Sequence, residues 1–284
     1  MSSSSLFNIL FFILTYHSNG GKATGNCIWN GETRIHCDLN ILDFRRNSSD
    51  VPQEASKVIE ELIVDCSDAL YFESQLRSDH FGELNKLSSL QIHNCKVHVL
   101  PPRSFVSLIE LRELVIHTHN ADMSGLSMDP DYESLVGLEA LQTLDLSFNN
   151  IQTFPSGLLA PLKSIRLFNA SFNNITNIKD LGLVSGDIPS LESLILRGNS
   201  IADFPSGSLS ALQGLLSLDL SQNELKMISA DAFQGLSTLK TLDLSGNALI
   251  SLPQHVFRPL STLESLSLGN NSLSTLPKKL LSPL

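Results

Sequence analysis

Four cysteines, Cys27, Cys37, Cys66 and Cys95, lie in the first third of the chain. No two have CxxC spacing, so a zinc site fits them poorly, whereas an even set in a secreted chain suits disulfides with three pairings open. Cys27 and Cys37 stand ten residues apart around Trp29 and read as a bridge closing an N-terminal cap. Cys66 and Cys95 are either a second bridge or two thiols. His93 and His117 are 24 residues apart, a pair that could answer to pH or to a metal. Two imidazoles without a carboxylate or thiolate partner make a weak metal site, so no metal and no other cofactor is expected. Asp145, Asp219 and Asp243 recur within "LDLS" and read as strand-surface groups rather than an acid/base pair. There is no GxSxG, HExxH, P-loop or strand-borne GxGxxG, and the chain does not read as an enzyme.

These residues are held by one repeated pattern, L-x-x-L-x-L-x-x-N-x-L. From Leu141 it is filled by Leu144, Leu146, Asn149 and Ile151, and it returns from Ile165, Leu191, Leu215, Leu239 and Leu263. Looser copies start at Ile59, Leu87 and Leu111, with Ser67, Cys95 and His119 in the Asn slot. Five of the eight steps between starts equal 24 residues, a phase too persistent for chance and the mark of a leucine-rich repeat. The L-x-L segment is a short strand with alternate side chains turned inward, and stacked copies make a parallel sheet. The Asn column (Asn149, Asn173, Asn199, Asn223, Asn247, Asn271) offers amides to turn backbone that would otherwise be buried without partners. Pro101, Pro155, Pro205, Pro253 and Pro277, each fourteen residues past a start, fit the non-sheet side. Phe81, Phe105, Phe233 and Phe257, with Leu135, Leu159 and Leu209, form an inner stack there, broken at Ser185.

The predicted fold is an α/β leucine-rich repeat solenoid, a curved right-handed horseshoe with a concave parallel β-sheet, an N-terminal cysteine cap and no C-terminal cap. Residues 26–58 are the cap and 59–284 nine repeats. The pattern stops midway at Leu284, so a truncation of something longer is expected. Residues 1–25 read as a signal peptide cut somewhere in 18–25: from Leu6 to Leu14 only Asn8 is polar, and nine residues are too few to span a bilayer. A buried N-terminal helix is the alternative. Hydrophobic residues make up 42% of the chain and charged ones 17%, which argues against disorder. The net charge of -10 repels phosphate backbones, so nucleic acid is not an expected partner.

"LIVDCSDALYFESQL", "HNCKVHVLPPRSF" and "LRELVIHTHNADMSGLSM", with "NIKDLG" further on, resemble the N-terminal ectodomain of the long arthropod Toll receptors, the Tollo and eighteen-wheeler kind. The resemblance covers roughly residues 26–284. It implies a cell-surface receptor in innate immunity or development, continuing into further repeats, a cysteine cap, a transmembrane helix and a cytoplasmic TIR domain.

The expected function is therefore extracellular ligand recognition: a protein ligand, with homo- or heterodimerisation, at the cell surface or in secreted form, and membrane contact only through segments outside this chain. A secreted binder or decoy, or a matrix or adhesion protein, is the alternative. Candidate contacts are outward positions of the concave face: Gln91, His93, Glu113, Val115, His117, Asp145, Phe148, Asn169, Phe172, Ile195 and Arg197. Sequons at Asn47, Asn169, Asn174 and Asn270 are candidate glycan sites, and a glycan on Asn169 would obstruct the middle of that face. The excess residues after Ile116 make a protruding loop, either a contact or a tolerated insertion.

Overall fold

The computed structural model describes residues 26–29, 33–39, 58–66, 73–77, 81, 84–118, 124–128, 133–183, 188, 190–278 and 280–281. The leader, Asn47, Ser67, His119, Ser185, the side chain of Cys27 and most of the loop after Thr118 lie outside these residues. The chain divides into two compact units, residues 1–143 and 144–284.

In the first unit β1 (Asn26–Trp29) runs antiparallel to β2 (Arg34–Leu39), with Cys27 opposite Cys37 in the ladder. Cys37 is buried and disulfide-bonded. From β2 onward the pairing is parallel, to β3 (Glu61–Cys66), then β4 (Ser89–Cys95). A small ladder on the far side of the coil pairs β5 (Val99–Leu100) with β7 (Ser127–Met128), while β6 (Glu113–Thr118) continues the main sheet beside β4. Alternation decides which side is core: Ile35, Leu62, Val64, Leu90, Ile92, Leu114 and Ile116 are all buried. Phe81 and Phe105, both buried, stack with centroids 5.9 Å apart.

Cys66 and Cys95 are joined, their Cα atoms 4.8 Å apart. The bridge occupies the slot where later coils carry Asn. The ladder slips between His93 and Cys95, and Asn94 turns to φ 58°.

The second unit repeats one coil, with strands β8 (Thr143–Asp145, its first residue closing the first unit), β9 (Leu167–Asn169) and β10 (Ser193–Ile195). A far-side pair, β11 (Asp203–Phe204) and β13 (Met227–Ile228), flanks β12 (Ser217–Asp219), and β14 (Thr241–Asp243) and β15 (Ser265–Ser267) follow. The main ladder from β9 to β15 is parallel and in register. Side-chain bonds keep the strands short. Asp145 Oδ1 accepts from the Ser147 N–H and Oγ, Asn169 Oδ1 from those of Ser171, and Asp219 and Asp243 from the N–H of Ser221 and Ser245. These Asx turns end the pleat two residues after its centre.

Behind each turn the Asn column enters the core. Asn223 Nδ2 donates to the carbonyls of Leu196 and Leu220, and its Oδ1 accepts from the Ile201 N–H. Asn173, Asn199, Asn247 and Asn271 repeat the arrangement. Phe233 and Phe257 pack 5.8 Å apart on the far side, and Phe204 meets Phe233 edge-on. "NIKDLG" folds as a 3-10 turn, Ile178–Leu181, with a reciprocal capping box between Asn177 and Asp180. Gly182 ends it at φ 63°, where a Cβ would lie 2.3 Å from the Pro155 carbonyl oxygen.

Candidate functional site

The outward sheet face of the first unit is a grid of polar side chains placed by strand register. One row runs Asp38, Asp65, His93, His117 on consecutive strands. The two imidazoles have centroids 5.2 Å apart and tilt by 59°. Asp65 Oδ1 accepts from Asn94 Nδ2 at 2.9 Å. A second row runs Arg34, Glu61, Ser89, Glu113, with Arg34 Nε 2.7 Å from Glu61 Oε2. Ser89 Oγ donates to Glu113 Oε2 at 2.7 Å, and Gln91 Oε1 lies 3.3 Å from His93 Nε2. Gln91, His93, Glu113 and His117 are half-buried and linked into one surface.

Val115 departs from its expected role. It holds an outward position but is only 9% exposed. Gln91 stands beside it in register, and Glu113 and His117 flank it along the strand, so taller polar neighbours close over a short β-branched side chain. Asp38 and Asp65 were the residues that sequence reasoning missed. Asp65 sits six residues past Ile59, the offset His93 and His117 hold from Leu87 and Leu111, and that shared offset was the signal. Among the described residues no group of three His, Cys, Asp or Glu side chains is placed to hold a metal ion.

In the second unit the outward residues divide. Asp145 and Asn169 serve the sheet itself: Asp145 takes the Ser147 bonds on Oδ1 and the Asn169 Nδ2 bond, 2.8 Å, on Oδ2. Ile195 and Arg197 face outward half-buried, with Arg197 Nη1 3.0 Å from Ser221 Oγ. Phe148 and Phe172 were expected on strands but lie three residues beyond the ends of β8 and β9, at φ 60° and 51°. Their rings stack with centroids 4.6 Å apart at 12°. They remain 55% and 38% exposed. The next coil makes room with Gly198, φ 67°, where a Cβ would come within 2.5 Å of the Phe172 ring.

The geometry is that of a stacked-coil scaffold presenting a polar face, and comparison with known proteins agrees on the scaffold. The leucine rich repeat family model matches residues 131–175, 189–249 and 237–284. A Toll-like receptor 7 of Drosophila melanogaster is 32% identical over 225 residues, covering 74% of this chain and 15% of the relative. The chain belongs to the leucine-rich repeat family and is of the Toll-type ectodomain kind. Lumican of Rattus norvegicus is 36% identical over 153 residues, covering 53% of this chain and 42% of the relative. Among solved structures, a TLR13–ssRNA13 complex superposes with TM-score 0.66 at 27% identity, over 80% of this chain and 31% of that one. A glycosylated Toll–Spatzle complex from Drosophila gives 0.58 over 91% of this chain and 43% of that one. At 14% identity it shows the fold alone. The chain thus spans less than half the length of these relatives. Leucine-rich repeat chains of the Toll type recognise ligands rather than catalyse reactions. The expectation against nucleic acid loses its general force, since a similar solenoid is solved with single-stranded RNA. Among the described residues no helix is long and apolar enough to cross a membrane.

Proposed function

We propose that this leucine-rich repeat chain is the ligand-recognition region of a Toll-type receptor, of the long arthropod kind, acting outside the cell on a protein ligand in immune or developmental signalling. The observation that carries the reading is the linked polar surface of Gln91, His93, Glu113 and His117. Register places all four, hydrogen bonds hold Gln91, His93 and Glu113, and the His117 ring lies against that of His93 before any partner arrives, which lowers the ordering cost of binding. Ile195 and Arg197 supply outward contacts in the second unit. Lumican similarity over about half the chain supports a second reading, a secreted or matrix binder, but it covers less of the chain than the Toll-like receptor match.

The test is a panel of extracellular proteins screened against the secreted chain. A saturable binder should weaken at least tenfold for a combined H93A/E113A/H117A variant, about 1.4 kcal/mol or more, and not for Q254A on an exposed turn away from the sheet. Equal weakening by both variants would refute a sheet-face site.

A further inference from the structure

The second unit carries the exposed Phe148–Phe172 stack, and a modification signal follows it in the sequence. Residues 172–176 read Phe-Asn-Asn-Ile-Thr, so the sequon Asn174-Ile175-Thr176 follows the aromatic ring by two positions. Their burial alternates: Phe172, Asn174 and Thr176 are exposed, while Asn173 and Ile175 are buried. Residues 174–176 carry no helical turn, and such alternation turns the acceptor amide and the hydroxyl to one solvent side, about 6–7 Å apart, with the exposed Phe172 ring two residues before the amide. The Asn column enforces this. Asn173 must turn inward to bond the Leu146 and Ala170 carbonyls, which forces its neighbours outward.

We infer that Asn174 carries an N-linked glycan whose first N-acetylglucosamine covers the exposed rim of the Phe172–Phe148 stack. The inference rests on the extracellular reading, because the donor is the polyprenyl-pyrophosphate-linked oligosaccharide of the secretory route. The Asn174 amide nitrogen attacks C1 of the sugar, the C1–O bond to pyrophosphate breaks, polyprenyl pyrophosphate leaves, and the amide gives up one proton. One face of N-acetylglucosamine is lined with C–H groups of partial positive charge, and they suit the negative face and rim of an aromatic ring. An exposed aromatic pair on an acidic, otherwise polar surface thereby gains a cover that the chain itself supplies.

Neighbouring sequences sharpen the assignment. The preceding coil reads Phe148-Asn149-Asn150-Ile151-Gln152, the same residue order without the hydroxyl residue, so it is no sequon. Asn169 precedes a buried Ser171, and its Nδ2 is turned along the sheet to Asp145. Asn270 is exposed, but no aromatic residue stands two positions before it.

The experiment secretes the full chain from insect cells and maps occupancy by glycopeptide mass spectrometry. Asn174 should be nearly full and exceed Asn270, and F172A should lower Asn174 occupancy at least twofold. Glycans are then trimmed either to a single-sugar stump or away entirely, with N174D matching the residue that full removal leaves. The stump should hold Tm, and its loss should lower Tm by about 2–4 °C and raise binding of an apolar dye. A combined F148A/F172A variant should abolish that difference. A secreted chain with Asn270 occupied and Asn174 bare overturns the inference, as does a stump whose loss has the same effect with and without the two rings. A chain bearing no sugar at all, Asn270 included, sinks the extracellular reading and this inference together.

Discussion

Replacing Asn223 by alanine is the sharpest test of how the second unit holds together. The residue is 7% exposed and makes four hydrogen bonds: Nδ2 to the carbonyls of Leu196, Leu220 and Ser221, and Oδ1 from the Ile201 N–H. The carbonyls are shared. Leu196 also accepts from Asn199, Leu220 from Asn247, and Ser221 from the Gly198 N–H. Truncation therefore leaves each carbonyl with one partner, and the Ile201 N–H loses its acceptor. That donor, beside a fully buried side chain, costs about 1–3 kcal/mol. The weakened bonds add about 0.5 kcal/mol each, for a total near 3 kcal/mol and a Tm fall of about 6–10 °C. N223D separates the two sides of the amide. It keeps an acceptor for Ile201 but turns a carboxylate toward three carbonyl oxygens, and so should be at least as destabilising at neutral pH. Circular dichroism during urea or thermal unfolding reads both. A loss below about 1 kcal/mol for N223A would mean that water replaces the amide and that the column is ornamental. N223D milder than alanine would show that the donor side contributes nothing.

Other outcomes follow from single features. Removing the Cys66–Cys95 bridge with C66A/C95A opens a loop of sequence separation 29 and should cost about 3.5 kcal/mol by chain entropy, read by the same unfolding assay. G182A should destabilise by about 2–3 kcal/mol, since it places a methyl against the Pro155 carbonyl at positive φ; a neutral result would deny that the turn is fixed. F105A empties a fully buried stack position and should cost about 3–5 kcal/mol. Peptide mapping should find Asn169 without sugar, because both atoms of its amide are engaged within the sheet.

How much of this was legible in the sequence follows from which residues obey the repeat. Leu144, Leu194, Leu218 and Leu242 are fully buried because the repeat specifies inside and outside at each step, and one phase propagates through every coil. The outward positions carry no such constraint, and there the reading was uneven. The pairing of His93 with His117, and Asp65 beside them, could be counted off the phase, yet Asp38 needed the register of β2, which precedes the first repeat. "LDLS" was legible as a recurring motif but not as a strand terminator, since an Asp at a sheet surface shows its Asx turn only once the following Ser N–H is seen donating back. Val115 takes its expected outward position yet is nearly covered, because the period of two assigns a direction and not the height of the neighbours that decide exposure.

Phe148 and Phe172 show most clearly what pattern alone leaves undetermined. Their offset from the repeat start predicts an outward side chain, but the left-handed backbone there moves both rings off the strand face and onto each other. Such a conformation costs a non-glycine residue of order 1 kcal/mol, and the burial of Asn149 and the inward bonds of Asn173 keep it in place. The same amides that satisfy the core thus leave an apolar surface exposed, two residues before the acceptor amide of the Asn174 sequon. Core satisfaction and surface modification are then two consequences of a single column of asparagines. A variant that relaxes the column, such as N173A, should lower both the stability of the unit and the yield of sugar on Asn174.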